Sequence, residues 1–221
     1  MKLKAIIFDL DGVIVDTARY HFSAWQRLAH EMGIDFTEVE NEQLKGVSRV
    51  DSLKKILKWG RIEKTEDEQV ILCERKNDWY KESIADMNPS ELLPGVADFL
   101  ASCLADNLKI GIGSASKNTP TVLKAVGIYD MFGAIIDGNS VINGKPHPEV
   151  FLKGCNQLGV EPAETIVFED AFAGVTAAKS GGMLAVGVGT AKNLPHADII
   201  IDGFKDFQLS KLKQAYQLFK S

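Results

Sequence analysis

Two carboxylates follow a short apolar run near the start of the chain, in the stretch AIIFDLDG at residues 5–12. Asp9 ends the run and Asp11 comes two positions later. Such a pattern is either a polar turn at the end of a buried strand or a pair of acids that holds a metal ion and does chemistry. Carboxylates are hard oxygen ligands of the kind that Mg²⁺ prefers, and a carboxylate can also accept a phosphoryl group as an acyl phosphate.

Three later segments carry residues suited to the same chemistry. EDAFAG supplies Glu169 and Asp170 as further candidate metal ligands. SASKN supplies Ser114, whose hydroxyl and following N–H groups can hold phosphate oxygens, and NGKPHPE supplies Lys145, a cation that offsets repulsion between a carboxylate and a phosphate. Asp11 is placed to exchange a proton with a substrate hydroxyl. Each segment alone is ordinary turn chemistry, but the four together predict Mg²⁺-dependent phosphoryl transfer.

This chemistry requires the four segments to meet, and the pattern of apolar runs predicts how they do so. The runs are short, rich in β-branched residues and apolar at successive positions, as in strands buried on both faces of a parallel sheet. Helical patterns lie between them, which predicts an α/β fold with a doubly wound, mostly parallel sheet and a Rossmann-like core. Ligands bind beyond the carboxyl ends of such strands, where all four segments begin. The predicted strands are 3–8, 108–113, 133–137, 165–168, 184–189 and 197–202, and the predicted helices are 95–106, 118–126, 147–159, 172–181 and 206–219.

One long interval interrupts the alternation of strands and helices. About a hundred residues separate the first two predicted strands, and residues 17–85 have helical patterns throughout. Ser48 and Thr65 stand where helices begin, and Gly33, Gly46 and Gly60 stand where helices end. We therefore expect a helical cap domain at 17–86, inserted into a catalytic core formed by 1–16 and 87–221.

The four segments resemble the motifs of the haloacid dehalogenase superfamily of phosphotransferases and phosphatases. DLDGVIVDT, SAS, KPHP and EDAFAG match in order, and the resemblance covers essentially the whole chain. It implies that Asp9 is the nucleophile and Asp11 the general acid and base. It also implies that Mg²⁺ is held by Asp9, the backbone carbonyl of Asp11 and Asp170, with Glu169 adjacent. Ala171 departs from the family, which often has a hydroxyl residue there.

Within the superfamily, the inserted segment is similar to that of the β-phosphoglucomutases. This resemblance implies interconversion of β-D-glucose 1-phosphate and β-D-glucose 6-phosphate through a bisphosphate. Such a reaction needs a second phosphate site, and Arg49 suits it because a guanidinium binds phosphate through two donors in a fixed fork. We expect His21 and Lys45 to close over the sugar. The expected substrate- and phosphate-binding residues are Thr17, His21, Lys45, Gly46, Val47, Ser48, Arg49, Ser52, Lys76, Ser114, Ala115, Ser116, Lys117, Asn118 and Lys145.

Composition limits the partners and the setting. A net charge of −5 gives no reason to expect nucleic acid, and no apolar run reaches the length of a membrane span. The three cysteines lack the spacing of a metal site and fit a reducing compartment. We therefore expect a cytoplasmic protein, a monomer, that acts on small sugar phosphates.

Other functions remain open at this point. A sugar-phosphate phosphatase of the same superfamily needs only the site at Asp9, so Arg49 and its neighbours argue against it. A phosphosugar-binding regulator without activity would be expected to lack Asp9 or Asp11, and both are present. The helical insertion could also be a module for protein interactions, although its position after the first strand favours a cap.

Overall fold

A six-stranded sheet forms the centre of the chain over residues 2–220, the part that the computed structural model describes. The strand order is β3-β2-β1-β4-β5-β6 and every neighbouring pair is parallel. The prediction of a doubly wound parallel α/β sheet is confirmed. The strands are β1 (Ala5–Phe8), β2 (Lys109–Gly113), β3 (Ala134–Ile136), β4 (Thr165–Glu169), β5 (Leu184–Val188) and β6 (Ile199–Ile201).

Both faces of this sheet are buried, because alternate residues of each strand point to opposite sides. On one face, Phe8 stacks on Phe168 with ring centroids 5.3 Å apart, and Phe99 packs edge-on against both rings. On the other face, Ile7 and Val167 belong to a second cluster of buried apolar side chains. Two apolar layers therefore hold the strand that ends at Asp9.

Helices cover the sheet and fill the interval between the first two strands. Five of them, α1 to α5, lie between β1 and β2, and the first four fall where the sequence predicts the insertion. None of the helices in the described residues is long and apolar enough to cross a membrane. The helices are α1 (Ala18–Glu31), α2 (Glu38–Glu42), α3 (Arg49–Gly60), α4 (Glu66–Ser83), α5 (Val96–Ala105), α6 (Thr119–Ala125), α7 (Glu149–Leu158), α8 (Phe172–Ser180) and α9 (Leu209–Lys220).

We call residues 17–86 the cap segment and the remainder the core; the division into domains at these bounds stays a prediction, and Met1 and Ser221 lie outside the described residues. The predicted helix starts are confirmed, since Ser48 and Thr65 accept N–H groups of the first turns of α3 and α4. The predicted stop at Gly60 is confirmed, because helix α3 ends at this residue. Helix α3 includes Gly60, and Arg61 takes the left-handed conformation after it, with φ of 53°. A β-carbon at Gly60 would overlap the end of the Ile34 side chain, which would have to move to make room for it.

Candidate active site

The carboxyl ends of three neighbouring strands bring the predicted motifs to one edge of the sheet. Asp9, Ser114 and Asp170 directly follow β1, β2 and β4. The N–H of Asp9 donates to the carbonyl of Phe168, and the N–H of Ser114 to that of Ile136, both at 2.9 Å. The sheet ladder thus continues one residue past the strands and fixes the first residue of two motifs.

A cavity of about 810 Å³ opens between this edge and the cap segment. Most of the predicted site residues line it, from both sides. Thr17, Asn118 and Glu169 do not line it, but each is hydrogen-bonded to a residue that does, namely Asp11, Ser116 and Lys145. The predicted residues in the lining are Asp9, Asp11, His21, Lys45, Gly46, Val47, Ser48, Arg49, Ser52, Lys76, Ser114, Ala115, Ser116, Lys117, Lys145 and Asp170.

A buried lysine joins two of the acids at the core side of the cavity. The Lys145 ammonium lies 2.5 Å from Asp9 Oδ1 and 2.5 Å from Glu169 Oε1. Burial alone would lower the pKa of Lys145, but these two carboxylates raise it well above its usual value. Glu169 also accepts the N–H of Ala171 at 2.8 Å, which fixes its carboxylate. Lys145 is therefore a permanent cation beside Asp9.

Asp170 lies tightly against the loop that carries Asp9 and Asp11. Gly12 has a φ of +81°, and a β-carbon there would overlap the Asp170 carboxylate. Burial, followed by the charges of Glu169 and Asp9, raises the pKa of Asp170 well above its usual value. The absence of a side chain at Gly12 thus lets the Asp170 carboxylate lie close to the loop that carries Asp9 and Asp11, at a cost in charge repulsion.

The chemistry of these donors fits a hard divalent cation. Burial and the charge of Asp9 raise the pKa of Asp11 to about 6, so the acids here repel one another. A divalent ion between Asp9 and Asp170 would relieve that repulsion. In residues 2–220, no three His, Cys, Asp or Glu side chains are grouped as a metal site. An ion here would therefore take further ligands from backbone carbonyls and water, as Mg²⁺ does.

Asp11 is surrounded by groups that control its proton. The hydroxyl of Thr17 donates to Asp11 Oδ1, and His21 Nε2 lies 3.7 Å from the same oxygen. The raised pKa of about 6 keeps this carboxyl able to gain or lose a proton near neutral pH. Thr17 is fully buried at the start of α1, so its hydroxyl holds one rotamer of Asp11.

The cap segment carries a histidine and a lysine in contact. Lys76 Nζ lies 2.7 Å from His21 Nδ1, and the imidazole stacks on the Tyr80 ring at 4.0 Å. Burial and the charge of Arg49 lower the pKa of Lys76 to about 7, while burial and the charge of Lys76 lower that of His21. A charged Lys76 donates to Nδ1, which leaves the imidazole proton on Nε2, facing Asp11.

A second polar group lies where β2 leads into α6. Arg49 Nη2 donates to Asn77 Oδ1 at 2.7 Å, and Asn118 Nδ2 donates to the same oxygen at 2.9 Å. Burial lowers the pKa of Arg49. Ser116 lines the cavity beside this group, and its hydroxyl accepts the N–H of Asn118 at 3.2 Å. These donors belong to both the core and the cap segment.

A glycine lies at one contact between the cap segment and the core. Gly46 has a φ of +70°, and a β-carbon there would lie 2.9 Å from the Ala171 β-carbon. Next to it, Lys45 Nζ lies 2.8 Å from Glu42 Oε1 and 3.8 Å from Asp170 Oδ2. A residue without a side chain therefore allows the cap segment to lie over the acids.

Sequence reasoning missed two residues of this site, Asn77 and Tyr80. Both lie on α4 close to Lys76, which it did identify. Asn77 is an ordinary polar residue in a charged helix, and Tyr80 has the apolar surface expected of a buried helix face. Only the helical spacing of Tyr80, four residues after Lys76, could have placed it on the same side of α4.

Comparisons with known proteins agree with these motifs. A family model described as haloacid dehalogenase-like hydrolase matches residues 3–182. Among curated proteins, a beta-phosphoglucomutase of Bacillus subtilis is 42% identical over 99% of this chain and 97% of its own. A phosphorylated carbohydrates phosphatase of Thermotoga maritima is 29% identical over 82% of each chain. Among solved structures, a beta-phosphoglucomutase of Clostridium difficile matches with a TM-score of 0.95 and 42% identity, over 99% of each chain.

Proposed function

The chain belongs to the haloacid dehalogenase-like hydrolase family and, within it, to the β-phosphoglucomutases, and we propose that it interconverts β-D-glucose 1-phosphate and β-D-glucose 6-phosphate. The observation that carries this proposal is one cavity lined by two sets of groups that are suited to bind phosphate. One set surrounds Asp9 and the other surrounds Arg49. A mutase that passes through a β-glucose 1,6-bisphosphate has to hold two phosphates, whereas a phosphatase needs to hold one.

We infer that Asp9 is the nucleophile that carries the phosphoryl group between the sugar molecules. Its carboxylate would attack phosphorus, and the bond to the sugar oxygen would break as the aspartyl phosphate forms. The Lys145 ammonium, 2.5 Å from Asp9 Oδ1, offsets the repulsion between this carboxylate and the incoming phosphate. Ser114 and the N–H groups after it are suited to hold the remaining phosphate oxygens.

Membership of the family implies a divalent metal ion, and we propose Mg²⁺. The carboxylates of Asp9 and Asp170 and the backbone carbonyl of Asp11 would hold it, with Glu169 adjacent. When bound, the ion would neutralise charge on the transferring phosphoryl group. Glu169 is engaged by Lys145 and by the N–H of Ala171. Glu169 would therefore support the binding of the ion by fixing the Lys145 ammonium beside Asp9.

Asp11 is proposed to move the proton of the reacting sugar hydroxyl. It would give a proton to the leaving oxygen in one half-reaction and take one from the attacking hydroxyl in the other. A pKa of about 6 suits both directions near neutral pH. The Thr17 hydroxyl would hold the Asp11 carboxyl in place. His21 and Lys76, which belong to the cap segment, would bind the sugar beside it.

The second phosphate is proposed to bind between the core and the cap segment. Arg49 and Ser48, with Ser116, Lys117 and Asn118 on the core side, would contact it. The bisphosphate would then turn round, so that its other phosphate reaches Asp9. The sugar would be enclosed by Lys45, Gly46, Val47 and Ser52 together with His21 and Lys76, which would exclude water from the aspartyl phosphate.

The test is a direct assay of the two products. The protein is incubated with β-D-glucose 1-phosphate, Mg²⁺ and a trace of the bisphosphate, and glucose 6-phosphate and free phosphate are measured together. We expect glucose 6-phosphate to form far faster than free phosphate. Release of phosphate without isomerised sugar would show a phosphatase instead.

That phosphatase is the second candidate function, and a specific observation favours it. The phosphatase of Thermotoga maritima covers most of this chain, so the same fold serves hydrolysis in a relative. The acids and Lys145 would serve either reaction.

We also propose that the protein acts as a monomer in the cytoplasm and without nucleic acid, which light scattering and localisation of a tagged chain would test.

A further inference from the structure

Asn77 connects the cap segment to the core through a single oxygen atom. It lies on α4, whereas Arg49 begins α3 and Asn118 precedes α6. Its Oδ1 accepts Arg49 Nη2 at 2.7 Å and Asn118 Nδ2 at 2.9 Å, so both lone pairs of this oxygen are used. The first bond is within the cap segment, and the second joins the cap segment to the core.

The chemistry of arginine fixes the orientation of both amides. A guanidinium has no acceptor, so the Asn77 atom that faces Arg49 has to be the oxygen. The Asn118 atom that faces this oxygen then has to be its nitrogen. The arrangement is therefore directional: two donors from different parts of the chain converge on one neutral acceptor.

The cationic donor in this group has no anion to neutralise it. Within residues 2–220, no carboxylate lies within ion-pair distance of the Arg49 guanidinium, which is partly buried. Asn77 accepts only one of the five N–H groups of the Arg49 guanidinium and one of the two N–H groups of the Asn118 amide. The other donors remain available to a ligand that brings negative charge.

We propose, on the basis of the function proposed above, that Asn77 is a positioning residue for the sugar phosphate that is not being transferred. It holds the Arg49 fork and the Asn118 amide at a fixed separation, so that this phosphate meets donors already in place. A carboxylate would hold Arg49 more strongly but would repel the phosphate. A neutral amide holds both donors without competing for the charge.

Two substitutions of Asn77 separate this role from simple support of the fold. Asn77→Ala removes the acceptor, and Asn77→Asp replaces it with an anion. We expect Asn77→Ala to raise KM for β-D-glucose 1-phosphate by about tenfold, as for loss of a hydrogen bond to a charged group. We expect Asn77→Asp to raise KM further, because the new carboxylate pairs with Arg49. Neither should change the rate at which acetyl phosphate, which has no sugar, phosphorylates Asp9 by more than about twofold.

Asn156→Ala is the matched control, since Asn156 is an exposed amide on α7 that does not line the cavity. The proposal is overturned if Asn77→Ala leaves KM unchanged, or if both Asn77 variants slow phosphorylation by acetyl phosphate as much as they slow the sugar reaction. Failure of the proposed mutase reaction itself would appear in the unsubstituted protein. In that case, calorimetric binding of β-D-glucose 1-phosphate to the Asn77 variants in an Asp11→Asn background still tests Asn77.

Discussion

The two sides of the cavity treat buried charge in opposite ways. On the core side, Lys145 is in direct contact with two carboxylates, and its pKa is raised. On the cap side, Lys76 and Arg49 face neutral acceptors, and their pKa values are lowered. The Lys145 cation is thus paired with carboxylates before any ligand arrives, whereas the cations of the cap side have no carboxylate partner. The difference indicates that the core fixes the reacting groups and that the cap segment supplies the attraction for an anionic substrate.

The largest expected effect follows from removing Asp9, the proposed nucleophile on the core side. Asp9→Asn is expected to lower the turnover of β-D-glucose 1-phosphate by roughly 10⁴-fold or more, because an amide does not attack phosphorus. Incorporation of phosphate into the protein from acetyl phosphate should fall equally. Asp16→Asn is the control, since Asp16 is an exposed acid in the same segment. A variant Asp9→Asn that retains more than a hundredth of the turnover would contradict the assignment.

The second effect concerns the contribution of the core-side ion pairs of Lys145 to the free energy of unfolding. Lys145→Met leaves Asp9 and Glu169 buried without their cation and is expected to cost about 3–5 kcal/mol of unfolding free energy, measured with urea. The loss should shrink as the pH falls and Glu169, whose pKa burial raises, binds a proton. Lys213→Met, which removes an exposed ion pair with Asp106, is expected to cost less than about 1 kcal/mol. Equal losses in the two variants would show that breaking the buried cluster costs no more unfolding free energy than breaking an exposed ion pair.

The third effect concerns the charge stored on the cap side. Arg49→Ala is expected to raise KM for β-D-glucose 1-phosphate by about 10- to 100-fold, as for loss of hydrogen bonds to a charged group. Phosphorylation of Asp9 by acetyl phosphate should stay within about threefold, because this donor occupies only the core site. Arg75→Ala is the control on α4, where Arg75 forms an exposed ion pair with Glu31. Equal slowing of both reactions would place Arg49 at the core site instead.

The smallest effect is a change in bound protons. Lys76 has a pKa of about 7, so it is mostly neutral at pH 8. A nearby phosphate would raise this pKa, and the complex would then hold more protons than the free protein. We therefore expect uptake of up to about one proton per sugar phosphate bound at pH 7–9, and an affinity that falls as the pH rises through this range.

Calorimetry in buffers of different ionisation enthalpy measures this uptake. Lys76→Met should abolish it, whereas Lys81→Met, which removes an exposed lysine of the same helix, should not. In contrast with Lys145→Met, Lys76→Met is expected to leave the unfolding free energy unchanged or higher at pH 6, where the buried charge is a cost. A loss of stability similar to that of Lys145→Met would remove the contrast between the two sides.

Much of the fold could be predicted from the sequence because its signals are local. Apolar runs such as AIIF and TIVF identify strands buried on both faces, and the alternation with helices then requires a parallel sheet. The convergence of Asp9, Ser114 and Asp170 follows from that topology alone, since the carboxyl ends of parallel strands share an edge. The helix end at Gly60 is signalled locally as well, although the sequence does not show that Arg61, and not the glycine, takes the left-handed conformation.

The missing part of the site depends on how the cap segment lies over the core. The bond from Asn118 to Asn77 joins residues 41 positions apart, and no pattern near either residue signals it. The stacking of Tyr80 on His21 likewise depends on the packing of α4 against α1. Contacts of this kind are set by the tertiary arrangement, and sequence patterns report only on the elements that take part in it.

The close contact between Gly46 and Ala171 has a consequence for how such a chain can diverge. Any side chain at Gly46 would press its β-carbon onto that of Ala171, and the φ of +70° would strain it as well. Position 171 is less restricted, because a serine has the same β-carbon as alanine and adds its hydroxyl beyond it. Related sequences that diverge from this one are therefore expected to vary at position 171 while they keep glycine at position 46. Substitutions are thus tolerated on the core side of the contact and not on the cap side.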